Sequence, residues 1–275
     1  MKAKFPPMQL PIMVAVLITL LAGLWAGLIR VGWQWPALQP LLPSLHGPLM
    51  ISGFLGTLIS LERAVAIKRP WTYLGPVLSG IGAVWLVVGL PLPVGQWLLF
   101  LASVGLTAVF IHIIRQHAAN YTVTMGLGAI CWLVGNALWL SGWPIFRLVY
   151  WWAGFLVLTI VGERLELSRV ARPTRTTIRL FTVAVTLFMV GLFAVLVWGS
   201  DGTQIIGAGL IALALWLAVF DIARRTVRRP GLTRFIAVNL LLGYVWLLVG
   251  GIAALALGQA VAGPLYDFML HAIFV

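Results

Sequence analysis

The chain has little of what water-soluble proteins are built from. Only 9% of its residues are charged and six are acidic, against roughly 25% charged in a typical soluble domain. A soluble globular fold is thereby excluded. There is one cysteine, Cys131, which excludes a disulfide framework, a paired-cysteine metal site and the CxxCH attachment of covalent haem. Lying within an apolar run, Cys131 reads as a small packed residue. The sequence also has no GxxxxGK[ST], GxSxG or HExxH. P-loop, nucleophile-elbow and zincin chemistries are therefore not expected.

What is present is apolar length. Hydrophobic residues make up 62% of the chain and the mean hydropathy is +1.07. A bilayer core of about 30 Å takes about 20 apolar residues per helix. Ten runs stand near that pattern, at 9–30, 46–67, 74–91, 96–115, 121–141, 146–163, 178–198, 203–221, 234–257 and 265–275. Their length excludes the alternating ten-residue strands of an outer-membrane barrel. The expected fold is all-α, a polytopic membrane helical bundle forming a single domain over 1–275. The first run lacks a small-residue cleavage site and is expected to be a retained helix. The last is too short to span alone, so further chain is expected beyond Val275.

The formal charge of +12 would suggest nucleic acid were it not for its placement. Sixteen of the 18 basic residues, from Lys2 and Lys4 to the ARRTVRRPGLTR loop, fall at alternate run ends, and only Arg30 and Arg147 fall at the others. That asymmetry is the positive-inside signal, which predicts a cytoplasmic N-terminus. The basic loops then read as topology signals and anionic-lipid contacts, and no nucleic-acid partner is expected.

An internal echo links two runs. GFLGTLISLER (Gly53 to Arg63) aligns without a gap to GFLVLTIVGER (Gly154 to Arg164), 101 residues and four runs later. A four-helix repeat would make the second and sixth runs equivalent and the tenth the third member of the series. The copies differ at their starts, where His46 corresponds to Arg147 and Met50 to Trp151.

Four histidines can carry chemistry. His46 opens the second run, and helical spacing puts Met50, Gly53, Thr57 and Ser60 beneath it on one face. That stripe suits either close helix packing through small residues or a flat cofactor lying on Gly53 with His46 as an axial ligand. His271 lies six residues into the last run, about 9 Å from its start at 1.5 Å per residue. Asp267, one turn earlier, is suited to hold its second ring nitrogen or an outer-surface cation. An intramembrane histidine is a functional candidate by default, and a histidine bonded between helices is the alternative. His112 and His117, five apart, share no helical face and read as interfacial.

Glu62, Glu163 and Glu166 stand beside Arg63, Arg164 and Arg169 and are expected to form ion pairs inside the bundle, with a proton-relay or quinol-contact role as the alternative. Asp201 in GSDG reads as a turn residue, and Asp221 is expected to meet the arginines that follow it. Trp33, Trp35, Trp71, Trp143 and Trp198 fall near run ends as an aromatic belt.

With His46-Gly47-x-x-Met50-Ile51 opening the second run, the sequence resembles subunit I of the haem-copper oxidase superfamily, and more loosely its NnrS-type relatives. The resemblance implies twelve helices in three four-helix arcs, with His46 and a tenth-helix histidine, here His271, as the axial ligands of one low-spin haem b. It rests on a hexapeptide, the helix count and the second histidine. The sixth run, WWAGFLVLTIVGERLELSR, lacks the copper-site histidine and tyrosine of the oxidases, and His271 is single where they have two. Neither a copper centre, a second haem nor oxygen reduction is therefore expected.

The functional expectation is a haem-binding membrane protein of electron transfer or of nitric oxide or another small gas. Its ligands would be His46 and His271, with Met50 and Gly53 at the cofactor and Arg147 at its propionates. A cytochrome or a quinol would be the electron donor, and a bacterial or archaeal cytoplasmic membrane the location. Two alternatives stand beside it: a cofactor-free transporter built on the repeat, and a copper-handling protein using His46 and Met50, since imidazole and thioether suit Cu(I).

Overall fold

A computed structural model of the protein describes residues 9–274. The basic residues Lys2 and Lys4 and the terminal Val275 lie outside the described residues. Each of the ten apolar runs is a helical element, and no strand occurs among the described residues. They are α1 (Gln9–Arg30), α2 (Leu42–Ile67), α3 (Leu74–Val87), α4 (Leu92–Gln116), α5 (Asn120–Leu140), α6 (Ile145–Ser168), α7 (Arg175–Trp198), α8 (Ser200–Phe220), α9 (Leu232–Leu257) and α10 (Pro264–Phe274). All but α3 and α10 are long and apolar enough to cross a membrane, eight helices among the described residues. The chain is an α-helical, multi-pass membrane protein whose outer surface contacts lipid. Leucine, valine and isoleucine side chains such as Leu10, Leu21, Val183, Val197 and Leu242 are exposed on it, as membrane helices require when their neighbour is hydrocarbon.

The helices group into two units. Among the described residues, one holds those up to 116 and 129–143; the other holds 117–128 and those from 144 onward, so α5 contributes its later residues to the first and its earlier ones to the second. In the first unit α1 packs on α2 and α3, and α3 on α4. In the second, α8 lies between α7 and α9, and α9 packs on α10.

Small residues set these contacts. Between lipid-soluble helices burial of apolar surface gives no drive, so close van der Waals approach does. Along α7 and α8 the backbones nearly touch: a Cβ on Gly209 would lie 2.6 Å from Phe188 Cα, and one on Gly191 2.5 Å from Ile206 N. Gly207 and Gly251 bring α8 and α9 together in the same way, with Gly207 facing Leu255 N at 2.5 Å and Gly251 facing Gly207 O at 3.0 Å.

One residue read as a turn differs from expectation. Asp201 is not in the turn but in the first turn of α8, where a carboxylate complements the helix dipole. Gly199, at φ +46°, makes the reversal instead.

Gly209→Ala should lower stability by about 1–3 kcal/mol, because the added carbon meets backbone that cannot yield. Gly243→Ala, with open space at its Cβ position, should leave stability unchanged. Thermal unfolding of the two detergent-purified variants checks the pair.

Candidate functional site

The segment that carries His46 is not a uniform α-helix. It begins with a 3-10 turn at Leu42–Leu45, makes one α-turn at His46–Pro48, widens into a π-helix at Leu49–Gly56 and returns to α at Thr57–Ile67. Pro48 sits in the first turn, where its missing N–H leaves no bond unmade. A π-helical stretch inside a helix is uncommon and frequent at functional sites. Because it changes the number of residues per turn, the expected stripe from His46 to Ser60 cannot be read off α-helical spacing alone.

Its first half faces α1. His46 Nδ1 lies 2.8 Å from the carbonyl of Gly23. A carbonyl only accepts, so the ring nitrogen donates, and the neutral imidazole carries its proton on Nδ1. The ring rests where a Cβ on Gly27 would stand, 2.9 Å from Nδ1 and Cε1. One turn on, Met50 Sδ lies 2.7 Å from the Cβ position of Gly23, and Gly53 lies against Ala83 and Thr19. Thr19, Gly23 and Gly27 thus form a small-residue stripe that receives His46, Met50 and Gly53 in register. The small face of α2 is a helix–helix seam.

A buried polar network holds the π-helix. Ser79 Oγ donates to the carbonyl of Ser52 at 2.8 Å, and Thr57 Oγ1 lies 2.6 Å from that of Gly53. Ser52 Oγ donates to Asn136 Oδ1 and accepts from Trp132 Nε1, while Asn136 Nδ2 donates to the Leu99 carbonyl. Side-chain partners thus reach carbonyls within a stretch whose ladder has shifted, as buried polar groups require. The flat ring lying on this glycine-rich segment is the Trp132 indole, against Gly56.

In the second unit, His271 is exposed on α10, and its Nδ1 lies 2.7 Å from the carbonyl of Asp267. Asp267 thus holds the second ring nitrogen through its main chain. The same reasoning puts the proton of the neutral ring on Nδ1. Arg147 is exposed in the first turn of α6, its guanidinium 5.9 Å from the Phe146 ring centroid. Trp151, which aligns with Met50 in the sequence, is fully buried and meets Phe193 edge-on at 5.2 Å.

The ion pairing departs from expectation. Arg164 does not take its neighbour Glu163 but Asp221, 57 residues later, with Nε and Nη2 on the two carboxylate oxygens at 2.6 and 2.7 Å. Tyr244 Oη donates to the same carboxylate, as does the amide of Ala223. Asp221 meets an arginine that precedes it, not those that follow. Its side chain is fully buried, and only a bidentate partner with further donors offsets such a desolvation cost. Glu62 and Glu166 stay at the surface, each 3.6 Å from Arg63 and Arg169 respectively. Their partners match expectation; their burial does not. His112 lies edge-on to Trp71, and His117 beside Tyr121.

Among the described residues no three His, Cys, Asp or Glu side chains gather as a metal centre. Helix number, length and composition define a polytopic α-helical integral membrane protein. The chain belongs to the family described as "Domain of unknown function (DUF8744)", which matches residues 9–275. No curated protein and no solved structure matches it.

Removing the carboxylate of Asp221 should strand the Arg164 guanidinium, so Asp221→Ala is expected to cost about 3–5 kcal/mol. Tyr244→Phe, which removes one hydrogen bond and leaves the ion pair, should cost about 1 kcal/mol. Chemical or thermal unfolding in one detergent ranks the two.

Proposed function

We propose that the protein is a haem-binding membrane protein in which His46 and His271 ligate haem b iron, serving electron transfer or the handling of nitric oxide or a similar small gas. The observation that carries the reading is local to each histidine. Both Nδ1 atoms are tied to main-chain carbonyls, at 2.8 and 2.7 Å. Metal-bound histidines have such a partner, which fixes the tautomer and raises the basicity of the ligating nitrogen. Two imidazoles whose Nδ1 atoms are held in this way suit an iron–porphyrin centre as a donor set.

Other parts of the sequence expectation take different roles here. Gly53 faces Ala83 and Thr19, so it does not offer a flat seat. Met50 has its thioether on Gly23. Both shape the seam that orients His46. Gly23 supplies the accepting carbonyl, and the absent Cβ of Gly27 leaves room for the ring. Arg147, an exposed guanidinium at a helix start, suits a carboxylate such as a propionate. When bound, haem supplies a one-electron couple whose potential follows its axial ligands and burial. The resemblance of the His46-to-Ile51 segment to the haem-copper oxidases supports the same reading. A cytochrome or quinol donor, an inner-membrane location and a cytoplasmic N-terminus complete it, the last from the placement of basic residues.

Reduced-minus-oxidised spectra of protein purified from haem-replete cells should show a sharp low-spin α band. His46→Ala and His271→Ala should each abolish it, and His112→Ala should not. A colourless wild-type protein contradicts the reading.

A further inference from the structure

The second unit contains a cavity of about 720 Å³ where α6, α7 and α8 end or begin. Arg172, Arg224, Arg225, Arg228 and Arg229 all line it. Among the described residues none of these five is in an ion pair with a carboxylate. Arg224 is positioned by its own chain, Nη1 donating to the Val219 carbonyl at 2.8 Å. Five like charges around one space repel one another, and an anion placed among them removes that cost.

The single acid in the wall does not oppose such an anion. Asp221 is already bidentate with Arg164 and accepts from Tyr244, so its charge is spent inside the protein. A second feature lies in the same wall. Ser168, 2% exposed, lines the cavity, and its hydroxyl has no hydrogen-bond partner among the described residues. Buried hydroxyls are nearly always bonded. The start of α7 also belongs to the wall through Thr174 and Thr177, and helix N-termini favour anions. The remaining wall includes Trp216, Val219 and Phe220, so a basic rim adjoins an apolar one at the end of membrane-spanning helices.

We propose that this cavity binds a phosphate group, carried either by an anionic membrane lipid or by a phosphorylated solute. Guanidinium groups match phosphate oxygens in geometry and charge, and the volume is of the size that holds a small ligand. The proposal is independent of haem.

The test uses the full chain, and thermal midpoints serve as the readout. The protein is placed in nanodiscs of phosphatidylcholine with and without phosphatidylglycerol, and separately in neutral detergent with added inorganic phosphate or glycerol 3-phosphate. Phosphatidylglycerol alone raising the midpoint assigns the site to lipid; a rise with the soluble phosphates in detergent assigns it to a solute. Arg225→Gln/Arg228→Gln/Arg229→Gln should weaken the response about a hundredfold or more. Ser168→Ala, which changes no charge, should weaken it about fivefold. Lys68→Gln/Arg69→Gln/Arg115→Gln removes the same charge from the first unit and should leave the response intact. No response of the wild type to any of these phosphates overturns the proposal, as does an equal loss in the two triple variants.

Discussion

The first unit depends on how closely the backbone of α1 approaches α2. Gly23 and Gly27 leave that backbone bare, and the imidazole of His46 fills the space that side chains would take, with its Nδ1 on the Gly23 carbonyl. In hydrocarbon, where apolar burial provides no preference between protein and lipid, such contact is what selects one helix arrangement. From it the rest of the unit follows. Met50 and Gly53 continue the seam, and the π-helix turns Ser52 and Gly53 toward the hydroxyls of Ser79 and Thr57. Trp132 and Asn136 then close the network from α5.

The second unit uses charge where the first uses glycine and hydroxyls. Arg164, Asp221 and Tyr244 join α6, the end of α8 and α9 through one buried carboxylate. The arrangement costs desolvation and makes α8 end at a fixed place, because Asp221 also accepts the amide of Ala223. The arginines after Asp221 are consequently left to line a cavity rather than to neutralise it.

Helix number and approximate bounds were legible because a bilayer imposes length and polarity on every segment. Partners were less so. The Glu-Arg pair shared by the two aligned segments suggests Glu163 for Arg164 by adjacency, yet bidentate geometry and burial are met by Asp221, which sequence separation conceals. The stripe below His46 is visible in the sequence, but the Gly23-x-x-x-Gly27 packing signal of α1 does not itself say which helix it meets. The π-helix had no periodic signature in eight residues, so α-helical spacing could not follow the face beyond Gly53. His271 and Asp267 were paired from their spacing, and a carbonyl, which every residue possesses, makes the contact.

The histidine tautomer joins this packing to function. An imidazole that donates through Nδ1 to α1 has Nε2 as its lone-pair nitrogen, and that orientation follows from Gly23, whose carbonyl accepts, and from Gly27, whose missing side chain leaves room for the ring. Solid-state ¹⁵N NMR of histidine-labelled protein in bilayers reads the protonation of each ring nitrogen directly. His46 should be neutral with its proton on Nδ1, and Gly27→Val, which crowds the ring, should alter this signature. A wild-type His46 protonated on Nε2 would contradict this tautomer assignment.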